Sequence, residues 1–171
     1  MKARTCCIPL FGATLLAGLA VLTGCSPRNA SLVAAQNKSA TLSGDIPFHP
    51  LQGRVITSWI DRRDSTMSTL YGNDVAVQHA RTNEPHNYPP GALLAAVTWK
   101  QQEDPRWFGA RIPATAQSVE YVTVKSAPDG KPSYLYQLYT GTPLKETASA
   151  EGAVPSERAS WLLSQRAAVM P

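Results

Sequence analysis

The chain has 171 residues, with 16 Lys and Arg against 12 Asp and Glu, a formal net charge of +4, and 3 cysteines, all within the first 25 positions. That length supports one domain with a core large enough to be stable without crosslinks, and the cysteine positions exclude a disulfide-knit one. The basic residues form no stripe or cluster beyond the Arg62-Arg63 pair, so nucleic acid is excluded as a partner.

Met1 to Gly24 has the layout of a signal peptide. Lys2 and Arg4 make a positive n-region, Ile8 to Val21 an apolar h-region, and Leu22-Thr23-Gly24-Cys25 closes it with small residues before a cysteine. This ending resembles the bacterial lipobox, in which cleavage precedes the cysteine and the cysteine is diacylglycerylated. Cys25 is therefore the expected lipidation site, and the expected partner is a bacterial membrane reached from its periplasmic side, the outer membrane being favoured. The apolar run falls short of the ~20 residues that span a bilayer. Removing the segment takes away Lys2 and Arg4 and lowers the formal net charge from +4 to +2.

Residues 25–47 read as a tether, polar apart from Leu32-Val33-Ala34-Ala35 and broken by Gly44 and Pro47, so the domain is expected to cover residues 48–171. From Arg54 to Ile60 the residues alternate as a strand, with Val55, Thr57 and Trp59 on one face and Ile56, Ser58 and Ile60 on the other. Asp61-Arg62-Arg63-Asp64 suits a solvated hairpin tip; the two arginines keep both carboxylates ionised, which argues against an acid and base pair there. A second β-type run follows. Asn73 is a good N-cap and Asp74 suits the first turn, which predicts a helix from Asp74 to Arg81 with Val75 and His79 on one face. Prolines between Asn83 and Pro90 end it, and Gly91 opens a strand from Ala92 to Lys100.

Trp107-Phe108-Gly109 reads as an aromatic loop. Val119 to Val124 and Tyr134 to Tyr139 alternate around Pro128-Asp129-Gly130, a hairpin signal in which Pro presets the turn and Gly supplies positive φ. Tyr134 and Tyr136 are expected to be largely buried on one face. Gly141 to Pro155 is polar and reads as a crossing loop, and Ser156 caps a helix expected from Glu157 to Val169. The order of elements predicts an α+β fold, a predominantly antiparallel β-sheet with two or three packed helices.

The strand carrying Trp59, the segment Leu70-Tyr71-Gly72-Asn73-Asp74-Val75-Ala76, and the segment Tyr88-Pro89-Pro90-Gly91-Ala92-Leu93-Leu94 leading to Lys100 resemble the cytochrome P-460 and cytochrome c′-beta family. Its members are periplasmic, mostly β, dimeric c-haem proteins, and the resemblance runs from about Pro50 to Pro143. It implies a cytochrome P-460-like fold and raises a homodimer. The family attaches haem near its C-terminus through Cys-x-x-Cys-His, two thiols forming thioethers and the His binding iron. Here no cysteine follows Cys25, so covalent haem at that site is impossible. The C-terminal helix stands where the family places its attachment segment, with Trp161 and Leu162 in place of thiols and His.

None of His49, His79 and His86 pairs at helical ligand spacing, which leaves no metal site and no catalytic residue to name. Trp59, His79, Trp99, Lys100, Tyr121, Tyr134 and Tyr136 are the candidate pocket residues; Trp107 joins them as an aromatic able to line a cavity, although aromatics at strand spacing are more often core. Three readings stay open, the third being a structural lipoprotein whose surface recruits a partner. One is a membrane-anchored periplasmic lipoprotein that has lost covalent haem and binds a small ligand or serves the envelope, without a cofactor. The alternative is a non-covalent haem protein with a redox or gas-binding function of the NO or hydroxylamine type.

Overall fold

Residues 38–82, 84 and 87–168 are described by the computed structural model. Six runs rich in Val, Thr, Tyr and Ala form the strands β1 (Arg54–Asp61), β2 (Thr66–Gly72), β3 (Leu93–Glu103), β4 (Arg111–Ser126), β5 (Pro132–Thr140) and β6 (Lys145–Gly152). They pair in chain order as one antiparallel meander, β1-β2-β3-β4-β5-β6. Helix α1 (Asp74–Ala80) lies between β2 and β3, α2 (Glu157–Leu163) follows β6, and a 3-10 turn spans Pro50–Gln52. The α+β architecture expected from the sequence is the one observed.

The charged run after β1 is the expected hairpin turn. One carboxylate oxygen of Asp61 accepts the backbone N–H groups of Arg63 at 2.8 Å and Asp64 at 3.1 Å. Between β4 and β5, Gly130 takes φ +80° and its N–H bonds the Ala127 carbonyl, as the Pro-Asp-Gly signal requires. In β3, Leu94, Ala95, Ala96 and Val97 are all fully buried, because both faces of this central strand are covered.

One face is covered by the helices. Asn73 Oδ1 accepts the N–H of Ala76 at 3.0 Å and that of Leu93 at 3.2 Å, so the residue that caps α1 also fixes the start of β3. α1 turns Ala76, Val77 and Ala80 inward and leaves Val75 exposed. It sits so close that a Cβ on Gly72 would meet Ile56 Cδ1 at 2.8 Å and Ala76 Cβ at 3.0 Å. α2 is capped by Ser156 and buries Ala159, Leu162 and Leu163 against Leu70, Leu94 and Val122.

Residues 40–48 cover the other face. Ala40, Leu42, Ile46 and Phe48 pack on Ala95, Val97, Trp99 and Tyr121, and Trp99 Nε1 donates to the Ala40 carbonyl at 3.0 Å. Residues 38–47, read from the sequence as tether, therefore contribute core; residues 25–37 lie outside the described ones.

Four other expectations need correction. Gly141 to Pro155 is not a crossing loop, since Lys145–Gly152 forms the edge strand β6 on β5. Its side chains are exposed on both faces, so it needed no apolar alternation and sent no strand signal. A β-bulge between Val55 and Thr57 breaks the parity of β1, which brings Ile56 into the same core as Trp59 instead of the opposite face. The C-terminal helix stops at Leu163 rather than Val169, because the chain turns to run beside β1 and α1: Ala168 N–H donates to the Ile56 carbonyl at 2.7 Å and Ala167 N–H to that of Ala80 at 3.4 Å. Tyr134 and Tyr136 do share the helix face, but they are half-buried; the deeply buried tyrosines are Tyr121 on the other face and Tyr88 beside α1.

Candidate functional site

On the helix face, beyond the apolar floor of β3, the sheet carries a polar cluster. Glu120 of β4 is only 5% exposed, yet it stands in register with Val122 and Val124 on the inward side. Its carboxylate accepts Arg158 Nε at 2.7 Å, Arg158 Nη2 at 2.6 Å and the Tyr136 hydroxyl at 2.8 Å. The guanidinium comes from the first turn of α2 and lies 4.5 Å from the ring centroid of Trp161, three residues on. Trp161 in turn meets Trp59 edge to face at 5.1 Å. Hydrogen bonding to Glu120 holds the Arg158 guanidinium above its ordinary pKa, and burial, then the bond to Glu120, push the Tyr136 phenol up. With three donors on it, Glu120 serves as a clamp between α2 and the sheet rather than as a base.

His79 and Tyr88 form a second arrangement beside α1. The rings lie 4.4 Å apart at 50°, and His79 Nε2 shares a 2.7 Å hydrogen bond with the Glu84 carbonyl. Tyr88 is 2% exposed, its hydroxyl has no partner among the described residues, and burial pushes its phenol up to about 12.

The opposite face holds an open groove of ≈ 430 Å³ between the N-terminal segment and the sheet, lined chiefly by Leu42, His49, Leu51, Tyr71, Trp99 and Pro113. Trp99 forms its floor, Leu51 an exposed lip, and among the described residues His49 is the one imidazole in it. Its size and mainly apolar lining suit a small ligand with one polar contact.

The seven residues singled out from the sequence do not share one cavity. Trp59, Tyr134 and Tyr136 pack on the helix-face core, and Lys100 is exposed at the end of β3's pairing with β2. His79 belongs to α1, while Trp99 and Tyr121 lie under the N-terminal segment. The Tyr121 hydroxyl donates to the Phe48 carbonyl and its ring packs edge to face on Tyr139 at 5.5 Å. Trp107 is exposed in its loop. Sequence reasoning missed Glu120 and Arg158. The charge of Glu120 within the alternation of Val122 and Val124 was a usable signal, because a carboxylate on an inward face requires a partner; nothing in the sequence pointed to Arg158 as that partner. His86 lies outside the described residues, and among those described no group of three His, Cys, Asp or Glu can hold a metal ion.

A single antiparallel sheet with two short helices packed on one face and a chain segment on the other defines a mostly β, α+β protein with room for a ligand beside the sheet. The family model for cytochrome P460 matches residues 52–154, more than half of the chain, and the chain belongs to that family. No curated protein matches it. A haem held by thioethers does not fit the residues present: the described residues include no cysteine, Ala159, Leu162 and Leu163 are packed fully against the sheet, and His79 Nε2 is engaged by a backbone carbonyl.

Proposed function

We propose that this is a lipid-anchored periplasmic protein of the cytochrome P460 family that has given up covalent haem and binds a small, largely apolar molecule in the groove beside Trp99. The observation that carries this reading is the contrast between the two faces of the sheet. On one, α2 fills the space with Leu162 and Leu163 and locks itself down through Arg158 and Glu120. On the other, an apolar groove stays open with aromatic rings in its wall and His49 as a polar handle. A planar ligand stacked on the partly exposed Tyr71, above the floor made by Trp99, would bury apolar surface at little conformational cost, and the imidazole would select for a hydrogen-bonding group. Cys25 at the end of its lipobox-like segment supports attachment to the periplasmic side of a membrane, the outer one being favoured.

The second reading, non-covalent haem with a redox or gas-binding role, draws on the same groove, since an apolar cleft with one imidazole is the minimum such a site needs. The two readings part in one experiment. The protein is expressed in a host supplied with haem, purified, and titrated with haemin while absorbance near 400 nm is recorded, for the wild type and for His49→Ala, His79→Ala and His86→Ala. A colourless protein with weak, His-independent haemin binding, and a separate energy transfer from tryptophan to a small aromatic probe such as 1-anilinonaphthalene-8-sulfonate that Trp99→Leu abolishes, is the expected result. Tight stoichiometric haemin binding lost in one His variant would overturn it in favour of the haem reading.

A further inference from the structure

The β3–β4 hairpin reaches beyond the rest of its end of the sheet. β2 stops pairing at Thr66 with Lys100, whereas β3 and β4 continue together to Glu103 and Arg111, which carries the turn about 10 Å further out. That turn is ordered. Asp104 accepts from Arg106 N–H at 2.9 Å, Nε at 3.0 Å and Nη2 at 2.9 Å, and Ala110 N–H bonds the Trp107 carbonyl at 3.0 Å, with Gly109 at φ +77°. At its apex Trp107 is 67% exposed and Phe108 fully exposed, and Ile60 at the neighbouring β1–β2 tip is 60% exposed. A turn held this firmly does not collapse to hide its rings, and paired exposed aromatics on a loop are a mark of a docking surface.

Guanidinium groups share this end of the sheet. Arg62 and Arg111 line a cleft of ≈ 480 Å³ between the two tips, with Ile60, Ser65, Gln101 and Gly109, and Arg63 and Arg106 belong to the same two turns. The carboxylates at this end are largely engaged: Asp61 by turn N–H groups, Asp104 by Arg106, and Glu103 by Arg111 at 3.6 Å. Together with Asp64 they offset the four arginines and leave Lys38 and Lys100 over, so attraction to anions is a minor contribution. Exposed aromatic rings and arginines at one end of a sheet are the combination that amphipathic side chains present at a bilayer interface.

The chain also enters the domain here. Lys38 lies beside Thr115, Gly141 and Thr142, at the end of the sheet that holds the β1–β2, β3–β4 and β5–β6 turns. Only residues 26–37 separate it from Cys25, a reach of at most about 47 Å.

We propose that the Trp107–Phe108 tip, with Ile60, is a membrane-docking element that inserts at the headgroup level of a phospholipid surface and holds the sheet end-on to it. The proposal deepens the lipid-anchor reading, which supplies the nearby membrane, but its test does not depend on lipidation. The polypeptide beginning at Ser26 lacks Cys25 and contains every residue of both cores, which lie between Ala40 and Ala167. It is mixed with phosphatidylethanolamine vesicles, with and without phosphatidylglycerol, whose acyl chains are brominated near the headgroup. The expected result is co-sedimentation with both vesicle types and quenching of tryptophan fluorescence. Trp107→Ala with Phe108→Ala should lower partitioning by about tenfold or more, as loss of two inserted rings requires. Trp107→Phe should keep most of the binding and lose the quenching, which separates Trp107 from the other tryptophans. Unchanged near-ultraviolet circular dichroism and urea midpoint in all variants show that the fold is intact. Equal partitioning of wild type and double variant, absence of wild-type binding, or persistent quenching in Trp107→Phe each overturns the proposal. So does concentration-dependent self-association that the double variant loses without any vesicle binding, which would give the surface to a second copy. A soluble Cys25→Ser protein in cells tests the anchor separately, and either result can fail without the other.

Discussion

Replacing Arg158 by Ala should be the most damaging change available on the surface of α2. It removes two of the three donors that the described residues give Glu120, a carboxylate that is 5% exposed, and leaves the Tyr136 hydroxyl as its partner among them. Breaking a buried ion pair by deleting one partner costs about 3–5 kcal/mol. The Arg158 side chain is 43% exposed, so water can enter behind it, and a discounted cost of about 2–3 kcal/mol follows even with the loss of its packing on Trp161. For a domain of this size that corresponds to a fall in Tm of roughly 10 °C. The assay is urea unfolding followed by circular dichroism and tryptophan fluorescence, for Arg158→Ala, Glu120→Gln and the double variant. Glu120→Gln keeps an acceptor for Tyr136 and no longer needs the cation, so the double variant should recover part of the loss, with a coupling energy above about 1 kcal/mol. A loss below about 0.5 kcal/mol for Arg158→Ala, or strictly additive effects, would refute the reading of this cluster as the clamp that seats α2.

Leu162→Ala should cost about 2–5 kcal/mol, because the side chain is fully buried between α2 and the sheet; a small loss would mean that the helix is not seated there. At high pH the buried phenols should limit stability. Tyr88 is raised to about 12, and Tyr121 and Tyr136 are also raised, against roughly 10 in the unfolded chain. The unfolded state then loses protons first, so this stabilisation is complete below pH ~10 and disappears as pH rises through the folded values. Urea midpoints should accordingly fall between pH 10 and 12 while the 295 nm absorbance of the folded protein lags behind that in urea, and coincident titrations would contradict the burial. Finally, Cys25→Ser should move the protein from the membrane fraction to the soluble periplasm, two or three acyl chains being a far firmer anchor than one; retention in the membrane fraction would remove the lipid-anchor reading.

Local order is legible in the sequence alone. Asn73 and Ser156 announced their helices because a short polar side chain at an N-cap answers to neighbours three residues away. Pro128-Asp129-Gly130 announced its turn because φ preferences belong to single residues, and the segments around Leu70 and Tyr88 were enough to reveal the family. Alternation also separated the two faces of β4, with Tyr121 on one and Val122 on the other.

What the tertiary structure decided is which distant residues those faces meet. One extra residue at Val55–Thr57 moved Ile56 to the helix side, and period-2 reasoning has no means of seeing a bulge. β6 exists because β5 offers it backbone partners, and hydrogen bonds between main chains leave little trace in polar side chains such as those of Lys145–Gly152. The candidate pocket dissolved for a related reason: Trp59 and Trp99 both read as strand aromatics, but a sheet covered on both sides sends them into two separate cores. Glu120 and Arg158 are 38 positions apart and meet only because α2 returns across β4. Sequence carries the chemistry of each group and its local geometry; the energy of a buried charge, and the shape of a groove, depend on partners that only the folded chain brings within reach.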